Sequence, residues 1–488
     1  MSQTSSSPVH SAERPVISVV IPTRNRPDTL RACLKSLTHH KSPHIEIVVQ
    51  DNCSGPETHE IVVAAQQQDA RITYWRAPYP TSQRHNFELG LEAATGDNFT
   101  IIGDDDGFCL GSLDWLAKHL KEEPVDAVRW RLIHYVWPSL SLDGEGFIRV
   151  YPSQFYGGWR YADPQAINEK TINASNAGSW ENILVYHGMI SRKLYDRIRT
   201  KTEGIFFHYP LPDIYAHNLL SFHCDRYLDI GNPVSIYGTS GHSAGSSWAR
   251  AAHETTAETT AGQQWIDESR DDPIAAQVDW QPNIRTLRYH DFRTLKIAEE
   301  KGMLAGKVVD SDVWIAAILK EIELNPWSLT PWLSATERST FDGPIFKAVR
   351  EKFAALSKKI PTAPGGEYAA GSDGTALRVH RVDPNLTDDV EGAMLALRAT
   401  LIDGDMLYEN PSPTAVKRRS ILSRTASALI RVYGNLPAPV KGLLRRSGAR
   451  HSVIESLRHW QLRDFAHGDG LTRSDKLAQK ITQIRRQK

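Results

Sequence analysis

Asp104, Asp105 and Asp106 stand in a row directly after the apolar run Asn98-Phe99-Thr100-Ile101-Ile102-Gly103. Carboxylates this close raise one another's pKa or require a counterion. Hard divalent cations, Mg²⁺ or Mn²⁺, are the natural partners. They take oxygen ligands, usually one or two protein carboxylates, with water and substrate phosphates filling the remaining positions. The triplet therefore predicts a metal ion and a phosphorylated substrate, against the plainer alternative of a solvated acidic turn. Spacing alone offers Asp104 and Asp106 as the ligand pair.

Such a cluster must be held by regular elements, and the preceding hundred residues supply them. Pro15 to Pro22 is a β-branched run ending in the turn Thr23-Arg24-Asn25-Arg26-Pro27, and a helix follows from Asp28 with Leu30, Leu34 and Leu37 on one face. A second strand, Ile45 to Val49, ends in Gln50-Asp51-Asn52-Cys53-Ser54-Gly55. After another helical stretch comes a third strand, Arg71 to Trp75, and then a helix from Ser82 to Thr95 leads into the strand that carries the aspartates. Strands alternating with helices imply an α/β fold with a mostly parallel sheet, whose ligand crevice lies at the carboxyl ends of the strands. Thr23, Asp51 and Asp104 all fall on that edge.

These motifs together resemble a family 2 glycosyltransferase of the GT-A fold, a Rossmann-like, mostly parallel sheet flanked by helices. The resemblance rests on Pro22-Thr23-Arg24-Asn25-Arg26, Asp51-Asn52, Arg84, Asn86 and the Asp triplet, and covers residues 15 to 250, about half the chain. It implies that Pro22, Thr23, Arg24, Arg26, Asp51 and Asn52 hold the nucleoside of a nucleotide-sugar donor. It also makes the acidic cluster the family's DxD motif, which binds Mn²⁺ or Mg²⁺ against the donor diphosphate. Counting back from Leu113 places the central family ligand at Asp105, with Gly103 where the first Asp is usual, so all three aspartates stay candidates, Asp104 also as a donor contact. Gln50 stands where an acid is common, and Cys53 precedes Ser54.

Transfer from a nucleoside diphosphate builds negative charge on the leaving group, which cations aimed at it stabilise. Arg84 and Asn86, on the helix before the metal strand, are candidates to face the donor, because a guanidinium fork suits phosphate. Inversion at the anomeric carbon also requires a base for the acceptor hydroxyl. Asp213, in His208-Tyr209-Pro210-Leu211-Pro212-Asp213, opens an apolar helical stretch, where it serves equally well as a helix cap. The family's base lies at such a helix start about a hundred residues past the metal motif, so the resemblance assigns Asp213 that role. Glu181 and Asp196 are its rivals.

His242 sits among small residues, Tyr237 to Trp248, where nitrogen can complete a metal's coordination; the alternative is a surface loop. The stretch Tyr151 to Trp180, with Trp159, Asn173, Asn176 and Trp180, is a candidate acceptor platform, or else core packing.

With 488 residues, 40% hydrophobic and 23% charged, the chain can build two or three cores. The expected organisation is a flexible N-terminus (1–14), a GT-A domain (15–253), a helical appendage (265–410) able to mediate an oligomer, and a basic helical C-terminal segment (411–488). Four scattered cysteines fit a reducing cytosol, and no stretch has the length of a secretory signal or membrane span. From Pro411 onward 17 Lys and Arg face 4 Asp and Glu, so this segment carries +13 and the rest of a neutral chain −13. Its basic residues surround apolar ones, as in Val440 to Arg446, a pattern suited to an anionic membrane surface. The expectation is a cytoplasmic enzyme with peripheral contact at the inner face of the membrane, taking a nucleotide-sugar donor, UDP-linked as the resemblance implies, and a glycan or glycolipid acceptor of surface polysaccharide assembly. No nucleic acid is expected. Alternatives are a noncatalytic nucleotide- or glycan-binding scaffold on the same fold, and a sugar-phosphate nucleotidyltransferase, whose Gly-rich phosphate loop is absent here.

Overall fold

The first four strands, β1 (Ile17–Thr23), β2 (Ile45–Asp51), β3 (Ile72–Arg76) and β4 (Asn98–Ile101), are parallel and lie in the order β3-β2-β1-β4. β1, β2 and β4 have almost every side chain buried, as their β-branched and apolar composition requires of strands covered on both faces. Helices α1 (Pro27–Thr38), α2 (Pro56–Gln66) and α3 (Gln83–Ala93) connect them. Pro27 and Pro56 open the first two helices, where a missing N–H costs nothing, and the Ser82 hydroxyl caps α3 by accepting from the His85 N–H. The computed structural model describes residues 14–400, apart from 142–143, 151–157, 177–180, 242, 244–258, 279, 282–283, 285, 330–331, 333–342, 355–376 and 381–387.

Beyond β4 the sheet changes character. The next elements are β5 (Gly107–Phe108), α4 (Ser112–Glu122), β6 (Ala127–Val136), β7 (Phe147–Val150), β8 (Trp159–Ala162), α5 (Gln165–Ile172), β9 (Met189–Ser191), α6 (Arg192–Lys201), α7 (Pro212–Leu219) and β10 (Tyr227–Thr239). β9 runs antiparallel between β4 and β6, and the long β10 runs parallel to β6 and antiparallel to β5 and β8. The result is a mixed sheet whose parallel half carries the turns of interest.

Helices cover both faces. Leu30, Cys33, Leu34 and Leu37 of α1 share one apolar cluster with Leu113, Leu116 and Leu120 of α4. The opposite face buries Val20, Val48 and Phe87 with residues far along the chain. Those residues belong to α8 (Thr259–Arg270), α9 (Pro273–Gln277), α10 (Leu287–Glu300), α11 (Ser311–Leu324) and α12 (Gly343–Phe353) and to Trp332. Trp314, Tyr289 and Phe292 lie in that same cluster. The helices from residue 265 onward are therefore packed into the core of the sheet instead of forming a core of their own, because the α3 face of the sheet would otherwise lie bare to water. The chain then returns: β11 (Leu377–His380) pairs with β7, and α13 (Val390–Thr400) buries Val390, Met394 and Leu397 with the α1 cluster. Residues 401–488, including the basic segment, lie outside the described residues, as do most of the N-terminal ones. Among the described residues no helix is long and apolar enough to cross a membrane.

Candidate active site

The strand order reverses between β1 and β4, and their carboxyl ends meet there, the position at which open α/β sheets bind ligands. Thr23 Oγ1, at the end of β1, donates to Asp104 Oδ2 at 2.6 Å, and Arg26 Nη1 donates to Asp104 Oδ1 at 3.2 Å. The neighbouring turn is tied to the first. The Asn52 N–H donates to the Thr23 carbonyl, the Asn25 N–H to Ser54 Oγ, and the Gly55 N–H to Asn25 Oδ1. Asn25 has φ +51°, a left-handed conformation that asparagine tolerates better than most residues. Asp51 accepts from the Ser54 N–H at 2.9 Å and from Tyr74 OH at 2.6 Å, with Arg76 Nε 3.5 Å away. Asn52 is pinned to the Thr81 backbone on both sides of its amide. The side chains of Asp51 and Asn52 are thus both engaged within the protein.

The three aspartates diverge. Asp104 faces Thr23 and Arg26. Asp105 Oδ2 accepts from Ser240 Oγ at 2.6 Å, just past β10, and its carbonyl accepts from Trp137 Nε1 at 2.9 Å. Asp106 turns inward and takes four partners. Gly103 N–H and Tyr186 OH donate to Oδ2 at 2.6 and 2.9 Å, the Gly238 N–H donates to Oδ1 at 2.7 Å, and His187 Nε2 lies 2.9 Å from Oδ2. His187 Nδ1 in turn meets Ser235 Oγ, which accepts from Trp130 Nε1. Asp106, expected as a metal ligand, is thus a strut that fixes the turn, because its lone pairs are already engaged.

All three carboxylates are buried, with one guanidinium beside them. Burial raises the Asp104 pKa, with Arg26 and Thr23 opposing the rise. Asp105 is pushed up to about 7 by burial and by the charges of Asp106 and Asp104. Arg26 is held more firmly protonated than usual, the pull of Asp104 and Asp105 outweighing its own burial. A divalent cation fits this excess of buried negative charge, and Asp104 and Asp105, each holding fewer hydrogen bonds than Asp106, are its candidate oxygen donors. Among the described residues no group of three or more His, Cys, Asp or Glu is arranged around a metal. Two carboxylates completed by water and substrate phosphate match the preference of Mg²⁺.

Backbone packing fixes the turn further. A Cβ added at Gly238 would lie 1.8 Å from the Asp105 carbonyl oxygen and 2.8 Å from Trp137 Nε1. Gly238→Ala is expected to cost roughly 3 kcal/mol or more, read as a lower midpoint in urea unfolding, since backbone must shift to admit the methyl. A wild-type midpoint would contradict this packing.

Other expected site residues lie elsewhere. Arg84 is buried, with Nε donating to Asp272 Oδ2 at 2.7 Å and Glu88 3.7 Å away, and Asn86 exchanges hydrogen bonds with Gln50. Arg84 is thus turned toward the helices packed on α3, whereas Asn86 is turned toward the end of β2. Arg24 pairs with Glu268 of α8. His242 and Trp180 fall outside the described residues. Trp159 pairs with Ile230 at the far end of β10, ten residues or roughly 30 Å of strand before Ser240, and contacts Trp115 and His119 instead of the acidic turn. Asn173 is exposed, whereas Asn176 is buried against Arg288.

Asp213 occupies the first turn of α7, two residues past Leu211 at the cap position, so it is not the capping residue. Its side chain is open to solvent yet closely surrounded by protein, and this enclosure raises its pKa while His217 opposes the rise. Tyr186, which donates to Asp106, stacks on Phe87, and Phe87 meets Phe207, five residues before Pro212 in the chain. Of its rivals, Glu181 pairs with Lys170, and Asp196 is exposed on α6. Sequence reasoning missed Ser240, Tyr186, His187, Glu268 and Asp272. Only His187, a histidine closing an apolar run, offered a local signal.

Parallel strands with an acidic turn at their switch point, followed by the antiparallel β9, define an α/β fold of GT-A type. Residues 18–142 match the family model described as Glycosyl transferase family 2. Among curated proteins, it is 33% identical over 109 residues to the GalNAc(5)-diNAcBac-PP-undecaprenol beta-1,3-glucosyltransferase of Campylobacter jejuni, covering 22% of this chain and 35% of that one. It is 26% identical over 188 residues to Glycosyltransferase GlyG of Streptococcus pneumoniae, covering 38% of this chain and 59% of that one. The chain thus spans about a third of the first relative's length and under two thirds of the second's. Among solved structures, S. aureus TarS 1-349 in complex with UDP-GlcNAc aligns over 69% of this chain and 87% of that one, with 16% identity and a TM-score of 0.35.

Proposed function

We propose that the chain is a metal-dependent, inverting glycosyltransferase that moves a sugar from a nucleotide-sugar donor, UDP-linked in the first instance, to a hydroxyl of a glycan or glycolipid acceptor. The observation that carries this reading is the junction of Thr23, Arg26, Asp104 and Asp105 at the sheet's switch point, where buried acids outnumber the cations beside them. Asp51 and the Thr23 loop receive the nucleoside. Mn²⁺ or Mg²⁺, when bound to Asp104 and Asp105, supplies positive charge to the departing diphosphate. Arg26 adds a fixed cation on the same side. Asp213 takes the proton of the acceptor hydroxyl as its oxygen bonds to the anomeric carbon, and the nucleoside diphosphate leaves with the electron pair of the broken C–O bond.

The lipid-linked acceptor of the Campylobacter relative and the +13 segment from Pro411 support a glycolipid acceptor at an anionic membrane surface, in polysaccharide assembly. The test is nucleoside diphosphate release across a panel of UDP- and GDP-sugars, with and without Mn²⁺. Mn²⁺-dependent release that rises when an acceptor is added is the expected result. Tight donor binding with no turnover under any acceptor would instead identify a binding scaffold. Run on acceptor in phosphatidylglycerol vesicles, the same assay should lose turnover when 411–488 is deleted, while turnover on a short water-borne acceptor persists.

A further inference from the structure

Asp213 does not stand alone on α7. His217 follows one turn later, at the spacing that brings helix side chains onto the same face. It is buried, and its Nε2 lies 2.8 Å from Asp291 Oδ1 of α10. Asp291 is itself firmly placed: Asn218 Nδ2 donates to Oδ1 at 3.0 Å, and Arg288 Nη1 lies 3.7 Å from Oδ2. Asn218 is fixed by a second bond, to Thr294 Oγ1 at 2.9 Å. These contacts hold the Asp291 carboxylate ionised despite its burial, which acts in the opposite sense. The charged groups around His217 are Asp213 on its own helix, Asp291 and Arg288 on α10, and Glu321 on α11, which takes the Leu287 and Arg288 N–H groups.

We infer that His217, set between Asp213 on the solvent side and Asp291 on the interior side, is a positioning residue for the proposed base. The inference rests on the assignment of Asp213 made above. His217 takes no proton from the acceptor. Asp291 orients the ring, and the ring, one turn along α7, orients Asp213. The protein around Asp213 favours its protonated, inactive form, and the imidazole one turn along opposes this. The arrangement also gives α10 a function beyond packing: it carries the anchoring carboxylate into the floor beneath the base.

The experiment compares His217→Gln and Asp291→Asn with wild type through the pH profile of kcat/KM, alongside thermal unfolding. His217→Gln should move the acid limb up by about one pH unit, a roughly tenfold loss on that limb, with donor KM unchanged and activity approaching wild type at high pH; Asp291→Asn, which also removes a charge that raises the Asp213 pKa, should move it up by less. Lower melting temperatures with the acid limb unmoved would overturn the inference, because that is the signature of a packing role. Wild type provides a measurement independent of variant folding. In protein labelled with ¹⁵N-histidine, the His217 ring signals should inflect with the acid limb of activity, and the absence of that inflection would also overturn it. If Asp213→Asn retained wild-type transfer, the base assignment itself would fail, a result distinct from either of these.

Discussion

Asp105→Asn should abolish sugar transfer, by a factor of a thousand or more, while making the metal-free protein more stable than wild type. Both effects come from one carboxylate. Asp105 is buried, is pushed up to about 7, and lies beside Asp104 and Asp106. An unfolded Asp titrates near 4, so the folded state binds this proton more tightly than the unfolded chain does. Metal-free wild type should therefore lose stability as pH rises from about 4 to about 7, by at most roughly 4 kcal/mol, and should change little from this source above that range. Asparagine keeps an acceptor for Ser240 and carries no charge, so the variant lacks this loss. The expected gain at pH 8 is about 1–4 kcal/mol in urea unfolding, vanishing near pH 4. Mn²⁺ should restore stability to wild type and leave the variant unchanged. A variant less stable than metal-free wild type at pH 8 would show that the acidic turn is balanced without a cation.

Asp213→Asn is the second large effect, a fall in kcat of about a thousandfold or more, with donor binding and Mn²⁺-dependent stabilisation retained. The isosteric amide leaves the first turn of α7 intact and cannot accept the acceptor's proton. Glu181→Gln and Asp196→Asn serve as controls: Glu181 is engaged with Lys170 and Asp196 is exposed on α6, so each should keep transfer within a few-fold of wild type. Donor hydrolysis by water, followed separately, should fall less than transfer to an acceptor if Asp213 acts on the acceptor hydroxyl. Undiminished transfer in Asp213→Asn would move the search for the base elsewhere in the cleft.

The parallel half of the fold was legible because its signals are local. β-Branched runs such as Ile17 to Ile21, punctuated by Thr23, Asp51 and Asp104, give strand, turn and crevice in one reading. What lay hidden depends on contacts across long separations. Arg84 reads as a phosphate ligand on the helix before the metal strand, yet its partner Asp272 is 188 residues away. Asp106 is indistinguishable in sequence from Asp104 and Asp105. Only the approach of Tyr186, His187 and Gly238 makes it a strut. The helices beyond residue 265 read as an appendage because periodicity reveals an apolar face and not what covers it.

The return of the chain as β11 and α13 has an architectural consequence. Glu391 meets His39 at the end of α1, Asp388 accepts from Tyr135 OH and the Gly146 N–H, and Val390 presses on Gly107, the residue after the acidic turn. β11 and α13 thus form the outer layer behind the acidic turn. A fragment trimmed at residue 353 would strip the apolar side of α1 of its cover and loosen the wall behind the aspartates.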